Sequence, residues 1–265
     1  MRDKIKNTDY FIERINILDG IIKDAKEHLQ EGKILERRIP VYKFFSVFGR
    51  SYQRIFTLYS LGKEIDVIEN ELVELVKLIP EFWEPNIGKA KVRKEGVLDD
   101  YILSVYQMIL QIMALGILLR NDFVIEKVKN LIDRDNIRDE LYDYFLSKGS
   151  LDSIKPPYIF DKKMTRIKNV HKTLKATLFI QNKVKQPQLV DKYLNKQFYK
   201  ENGPVYGYDT HISKLNNYNG YWSFESGALA VLLDIDTETL RKSDYFPVDL
   251  VDNYRSTNKD VTDYP

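Results

Sequence analysis

Residues 101–119 decide the fold of this chain: they read YILSVYQMILQIMALGILL, a run of 19 uncharged positions. A run of this length could span a bilayer or form a buried helix inside a bundle. Gln107 and Gln111 lie four residues apart, on one helical face, and the flanking segments at 99–100 and 120–122 lack Lys/Arg-rich membrane anchors. We therefore predict a buried central helix whose glutamines hydrogen-bond to neighbouring helices, and no membrane association.

Around this helix the apolar residues recur with a period of 3.6, which predicts an all-α fold, a multi-helix bundle or an array of helical hairpins. Hardly any segment alternates as a strand would, and the charged stretch around residues 85–95 is expected to be a loop. The predicted helices cover residues 8–32, 42–61, 65–79, 123–132, 137–145 and 164–184, and a further one begins at Pro187.

A change in organisation falls near the middle of the chain. Gly149, Ser150, Pro156 and Pro157 interrupt the helical periodicity between two helical blocks. We therefore divide the chain into an N-terminal helical region, residues 1–150, and a C-terminal helical region, residues 151–265.

Composition limits the chemistry that the chain can perform. Its 265 residues are 43% hydrophobic, enough for a sizeable core, and they include no cysteine and three histidines. Disulfides and thiolate metal sites are excluded, a histidine zinc centre is not expected, and no motif predicts a cofactor. The charged start of the chain is unlike a signal peptide, so we expect a cytoplasmic protein.

The most distinctive motif, GYWSFE, occupies residues 220–225 and is followed by an aliphatic run to Asp236. Ser223 is a candidate helix cap, and Tyr221 and Trp222 are expected to close the edge of the core, with partner contact as the alternative. Residues 234–239 supply candidate caps for a second short helix, and a third is predicted with Pro247 at its first position.

This motif, together with an aromatic-aromatic-Pro-x-Asp-Leu-Val element at residues 245–251, resembles the C-terminal region of PoNi-like immunity proteins. Three segments of the N-terminal half are similar to the companion region of that family: MRDK at residues 1–4, LYSLG at 58–62 and EFW at 81–83. The resemblance implies a non-enzymatic protein that binds and neutralises a PoNe-type DNase toxin. One departure is Ser226-Gly227, where the family more usually continues with alanines; we expect Gly227 to loosen the helix by up to about 1 kcal/mol.

Charge is distributed unevenly along the second half of the chain. Residues 151–200 hold 12 Lys and Arg against 3 Asp and Glu, whereas residues 201–265 hold 5 against 11. The two faces could attract each other within the fold, or the acidic region could meet a basic toxin surface. On the second hypothesis the candidate toxin-binding residues are Glu225, Asp234, Asp236, Asp244 and Asp249, of which Asp234, Asp236 and Asp249 are also candidate helix caps.

Three alternatives compete with the immunity hypothesis. Ser223, His211 and Glu225 could form a hydrolase site, although no nucleophile-elbow pattern surrounds the serine. A basic helix could bind nucleic acid directly, which we do not expect because aromatic residues are scarce along it; its cations are Lys162, Lys163, Arg166, Lys168, Lys172 and Lys175. A helical protein-interaction scaffold unrelated to toxins is the third alternative.

Overall fold

The structure, a computed structural model, describes residues 1–92, 96–153, 171–199 and 207–257. Its helices are α1 (Thr8–Gln30), α2 (Ile39–Tyr42), α3 (Gly49–Leu61), α4 (Ile65–Lys77), α5 (Ile79–Phe82), α6 (Leu103–Leu118), α7 (Asp122–Asp135), α8 (Glu140–Leu146), α9 (Lys172–Leu178), α10 (Lys185–Lys192), α11 (Phe224–Leu232) and α12 (Val248–Ser256). The all-α prediction is confirmed.

Two π-helical turns join or extend these helices. Lys43–Phe48 makes α2 and α3 continuous, so the helix predicted over residues 42–61 begins slightly earlier and contains a change of pitch. Tyr193–Phe198 extends α10. The helix predicted to run to residue 184 ends instead at Leu178, and its beginning, with most of the proposed basic helix, lies outside the described residues.

A β-hairpin occupies part of the stretch predicted as a loop. Strands β1 (Lys89–Val92) and β2 (Gly96–Tyr101) pair antiparallel, with Lys89 opposite Tyr101. β1 is only four residues long, too short for alternation to be distinguished in the sequence. Tyr101 is buried and donates to Asp135 Oδ2 at 2.7 Å, which ties the hairpin to α7.

The predicted central helix is α6, and every residue from Val105 to Leu118 is buried. It packs against α11 on one side and against α7 and α8 on others. Gln111 Nε2 donates to the Trp222 carbonyl oxygen at 3.3 Å and to the Glu225 carboxylate, as the sequence predicted for this side chain. Within the described part of the chain, no helix combines the length and apolar character needed to cross a membrane.

Helix boundaries follow local backbone chemistry. Asn7 Oδ1 accepts from the Tyr10 amide at 3.0 Å at the start of α1, and Asn121 Oδ1 accepts from the Val124 amide at 3.1 Å at the start of α7. Gly62, at φ 92°, ends α3 in the left-handed region that glycine adopts most easily.

The C-terminal helices are short and closely packed. The second short helix is a single 3-10 turn at Leu240–Lys242, and Thr239, one of the candidate caps, is its N-cap residue but makes no side-chain capping hydrogen bond. α12 begins at Val248, and Pro247 precedes it as the N-cap residue, one position earlier than predicted. Ser223 also occupies an N-cap position, but its hydroxyl makes no capping hydrogen bond.

Side chains from the beginning of the chain contact the segment that carries the GYWSFE motif. Tyr218 donates to Asp3 Oδ2 at 2.6 Å, and Arg14 Nε donates to Asn219 Oδ1 at 2.8 Å. The Ser60 carbonyl oxygen accepts from the amides of both Arg2 and Asp3. Hydrogen bonds therefore hold the start of the chain and α1 against residues 218–219, which lead into the motif.

Candidate partner-binding surface

Glu225 lies at the centre of a buried polar cluster on the first turn of α11. Its side chain has no exposed surface. Glu225 Oε1 accepts hydrogen bonds from the Tyr193 hydroxyl at 2.7 Å and from the Ser223 hydroxyl at 2.8 Å. Glu225 Oε2 accepts a hydrogen bond from Gln111 Nε2. The Tyr193 hydroxyl also lies 2.7 Å from Nδ1 of buried His171.

This placement corrects the sequence-based expectation for Glu225. A carboxylate with no accessible surface cannot contact a toxin, and its oxygens are already used by three donors of the same chain. Burial raises the pKa of the Glu225 carboxyl to about 7, although the hydrogen bonds from Tyr193, Ser223 and Gln111 oppose the shift. Glu225 is therefore an interior residue whose charge is costly.

Tyr221 and Trp222 are buried, in agreement with the expectation that they close the edge of the core. Trp222 Nε1 donates to Ser60 Oγ at 2.8 Å, and its ring packs edge-to-face on Tyr59. Ser60 Oγ in turn donates to the Asn219 carbonyl oxygen at 2.8 Å. The indole N–H thus has the single partner that a buried tryptophan requires.

Asp244 and Asp249 lie beside the start of the chain, and both are ion-paired. Lys4 Nζ lies 2.6 Å from Asp244 Oδ1 in an exposed pair. Arg2 pairs with Asp249, which also accepts from the Tyr59 hydroxyl. Asp249 is in the first turn of α12 and does not occupy its N-cap position. The negative charge of both aspartates is therefore partly cancelled within the chain.

Asp234 and Asp236 lie in the turn that follows α11, and both are exposed. Asp236 Oδ1 accepts from the Glu238 amide at 3.0 Å, which stabilises the turn. Within the described residues neither aspartate makes a salt bridge, nor does the neighbouring exposed Glu238. This turn, residues 234–238, is therefore the part of the predicted acidic face whose carboxylates make no salt bridge among the described residues, although Arg255 donates to the Ile235 carbonyl oxygen at 2.6 Å; we call it the acidic turn.

The hydrolase alternative requires His211 to meet Glu225 or Ser223. Instead, His211 Nδ1 lies 3.0 Å from the Tyr221 hydroxyl, while Ser223 and Glu225 contact each other and the interior of the bundle. No hydrogen bond joins His211 to either residue in the described structure. The serine and glutamate are also fully buried, so a substrate has no access to them.

The described part of the proposed basic helix contains Lys172 and Lys175, of which Lys175 is buried. Lys175 Nζ lies 2.9 Å from Glu140 Oε2 and also contacts Asp139. Burial lowers the pKa of Lys175, but the two carboxylates outweigh it and hold the pKa above its usual value. This lysine neutralises interior acids and is not available to a phosphate backbone.

Sequence reasoning missed the residues that position the motif. No structural role was assigned from the sequence to four residues that contact the C-terminal carboxylates or the buried cluster around Glu225: Arg2, Lys4, Tyr193 and His171. No local pattern could reveal these pairs, because Arg2 and Asp249 are 247 positions apart. No group of three or more potential metal ligands occurs within the described ranges.

Comparison with known families identifies the class of this protein. The profile of the PoNe immunity protein (PoNi) N-terminal region matches residues 2–129, and that of the PoNi C-terminal region matches residues 137–250. The chain therefore belongs to the PoNe immunity protein family, as the GYWSFE motif predicted. The two matched regions are the ones that the contacts of Asp3, Arg14 and Ser60 hold together.

A solved structure supports the fold. The chain is similar to the crystal structure of protein PA2201 from Pseudomonas aeruginosa, with a TM-score of 0.64 and 16% identity over 97% of this chain and 91% of that one. At this identity the similarity concerns the fold alone. No curated protein matches the sequence.

Proposed function

We propose that this chain is a cytoplasmic immunity protein that binds a cognate PoNe-type DNase toxin and neutralises it by occluding its active site or DNA-binding face, without catalysis. Membership of the immunity protein family over residues 2–129 and 137–250 is the observation that carries the proposal. The lack of cysteine is consistent with a reducing compartment.

The surface we propose for toxin binding is centred on the acidic turn. A DNase must attract polyanionic DNA to a positively charged surface, so carboxylates can occupy the positions of its phosphates. Asp234 and Asp236 are exposed and make no salt bridge among the described residues, whereas Asp244 and Asp249 must first be released from Lys4 and Arg2. We therefore place Asp234 and Asp236 at the centre of the contact and Asp244 and Asp249 at its edge.

The first experiment tests the function itself. The chain is co-expressed with a candidate PoNe-type nuclease, purified through a tag on the nuclease, and assayed for plasmid cleavage with and without the chain. We expect a stable complex and loss of cleavage. If the chain neither co-purifies with its cognate toxin nor suppresses cleavage, the immunity proposal is wrong and a helical interaction scaffold becomes the better hypothesis.

The second experiment tests the surface, through the double variant Asp234→Asn and Asp236→Asn. Asparagine keeps the oxygen that stabilises the turn, so folding should be preserved while two negative charges are lost. We expect association to slow by about tenfold at low salt, and by less as salt screens the interaction. Association is measured by stopped-flow or surface plasmon resonance.

The matched control for this variant is Asp24→Asn with Glu36→Gln. Both residues are exposed, and in the described structure neither makes a salt bridge, so the control removes the same charge elsewhere. We expect association to stay within about twofold of wild type, since steering depends mainly on charges near the contact. Equal rates for the two double variants would move the toxin-binding surface away from the acidic turn and leave the immunity function standing.

A further inference from the structure

We propose that a pocket between α1, α3 and the segment that leads into the GYWSFE motif binds a small oxyanion, a carboxylate or phosphate group, through Arg14 and Arg50. The cavity has a volume of about 250 Å³. Its polar lining comes mainly from Arg14, Arg50, Tyr52, Gln53, Asn217 and Asn219. None of these residues belongs to the acidic turn.

Arg14 carries this proposal, because it is only 4% exposed and makes no salt bridge to a carboxylate of the described residues. Its guanidinium donates to Asn219 Oδ1 at 2.8 Å, to the Asn216 carbonyl oxygen at 2.9 Å and to Gln53 Oε1 at 3.3 Å. All three acceptors are neutral. A guanidinium has five N–H donors, so two have no acceptor among the described residues.

Arg50 brings a second positive charge to the same pocket. Its Nη1 donates at 2.8 Å to Gln53 Oε1, the same oxygen that accepts from Arg14. Among the described residues no carboxylate forms a salt bridge with either arginine. Burying a cation without an anion is costly, and a second cation beside it adds repulsion. Burial accordingly lowers the pKa of Arg14, and the charge of Arg50 lowers it further.

Asn217 supplies another group that lacks a partner. Asn217 lines the same pocket, and its Oδ1 is buried and accepts no hydrogen bond in the described structure. Rotation of this amide by 180° would present its two N–H donors at the same position. An oxyanion in the pocket could then accept from the amide and from both guanidinium groups, which together match the several lone pairs of a carboxylate or phosphate.

The wall of the pocket is fixed in place by Gly220, the first residue of the motif. Gly220 has φ 108°, and a Cβ atom there would lie 2.0 Å from Ser60 Oγ and 2.7 Å from Trp222 Nε1. Only glycine permits this approach, which holds Asn217 and Asn219 over the two arginines. The backbone turn at Gly220 therefore both lines the proposed anion site and lies against the Trp222 indole.

Such an anion could be a free ion or an acidic side chain of the bound toxin; the second source rests on the proposed function. The variant that distinguishes them is Arg50→Gln, because Arg50 is partly exposed and its loss threatens folding less than loss of Arg14. The control is Arg37→Gln, which removes the same charge from an exposed arginine outside the pocket.

Isothermal titration of the purified full chain with sodium phosphate and with citrate, at constant ionic strength, tests for a free ion. We expect saturable binding that weakens by at least about tenfold in Arg50→Gln and is unchanged in Arg37→Gln. Circular dichroism verifies that both variants are folded. This measurement needs no toxin, so its result is independent of the proposed function.

The toxin complex tests the other source. If wild type binds neither ion but Arg50→Gln weakens the toxin complex about tenfold while Arg37→Gln does not, the pocket receives an acidic side chain of the partner. If wild type shows no saturable ion binding and the two variants bind toxin equally well, the anion site does not exist. The same conclusion follows if wild type binds an ion and Arg50→Gln binds it as tightly as wild type does.

Discussion

At the scale of single residues, the Glu225 carboxyl combines burial with three hydrogen-bond donors from Gln111, Tyr193 and Ser223. The donors favour the ionised form, but desolvation outweighs them, so the pKa rises to about 7. Nearby His171 responds in the opposite direction: burial, with the charge of Lys175, lowers its pKa to about 3. Glu225 and His171 are therefore both mostly neutral between about pH 3 and pH 7.

The first consequence concerns the pH dependence of stability. The unfolded Glu225 carboxyl ionises near pH 4.5, whereas the folded one keeps its proton to about pH 7, so the folded state binds more protons between these values. Stability from this group therefore falls as pH rises from about 4.5 to 7, by about 3 kcal/mol, and is constant above. Urea unfolding of wild type and Glu225→Gln at pH 5, 6, 7 and 8 measures the difference.

The variant comparison is needed because His171 produces the reverse slope below pH 6.5: its neutral folded form loses stability as the unfolded ring takes up a proton. Both proteins contain His171, so their difference isolates Glu225. We expect Glu225→Gln to gain stability relative to wild type as pH rises, with the Gln111 amide rotated to accept from the new amide. If Glu225→Gln were less stable than wild type by the same free energy of unfolding at every pH, the Glu225 carboxyl would be ionised in the folded protein throughout this range.

At the scale of elements, α11 is held unusually close to its neighbours by Gly227. A Cβ atom at this position would lie 2.7 Å from Pro247 Cγ, 3.2 Å from Leu118 Cδ1 and 3.3 Å from Val251 Cγ2. The glycine is therefore a packing requirement where α11 meets α6 and α12. The sequence-based expectation considered only helix propensity, which is a property of the isolated helix, and so missed this role.

The second prediction is that Gly227→Ala destabilises the chain. Alanine gains up to about 1 kcal/mol in helix propensity, but overpacking against the rigid ring of Pro247 costs about 1–3 kcal/mol, so we expect a net loss of about 1–2 kcal/mol. Thermal unfolding monitored by circular dichroism measures the change.

The matched control is Gly20→Ala, in the interior of α1. A Cβ atom at Gly20 meets nothing within 4 Å, so only the propensity gain of about 0.5–1 kcal/mol remains and the variant should be more stable than wild type. If both variants were stabilised to the same degree, the close contact at Gly227 would relax without cost and the packing argument would be wrong.

Elements with a strong helical period could be predicted from the sequence, and α1, α4, α6 and α7 lie close to the predicted bounds. The pairing of β1 with β2 could not, because both strands are short and Tyr101 of β2 is tied to Asp135, which lies 34 positions further along the chain. In the candidate site, the carboxylates could be identified from the sequence, but buried Glu225 could not be distinguished from exposed Asp234. The position of a residue along α11 does not reveal which face of that helix α6 covers.

At the scale of the whole molecule, the N-terminal and C-terminal regions share one interior. α6 lies along α11, and Asp3 and Arg14 are bound to Tyr218 and Asn219. The predicted boundary at residue 150 remains a prediction about the organisation of the chain. The contacts across it are buried, so we do not expect the regions to behave as independent units.

The third prediction follows directly: the intact chain should unfold in a single cooperative transition. Differential scanning calorimetry should give a calorimetric enthalpy equal to the van't Hoff enthalpy, because disrupting either region removes the core of the other. Two resolved transitions would contradict this.

A second probe is Asp3→Ala, which removes the acceptor of buried Tyr218 and should cost about 1–3 kcal/mol. We expect it to lower the midpoint of the whole transition without splitting it. Loss of signal from the C-terminal tryptophan, Trp222, before loss of helical circular dichroism would instead indicate that the motif region opens separately.

The pairing of Arg2 with Asp249 joins residues 247 positions apart, and this separation has a consequence for biosynthesis. At about 5–20 residues per second, Asp249 is made about 12–50 seconds after Arg2. For most of that interval Arg2 cannot form its ion pair with Asp249, and Tyr59 lacks its contacts with Trp222 and Asp249. Contacts this distant form late and slowly, so we infer that the nascent chain completes its fold only after α12 has left the ribosome.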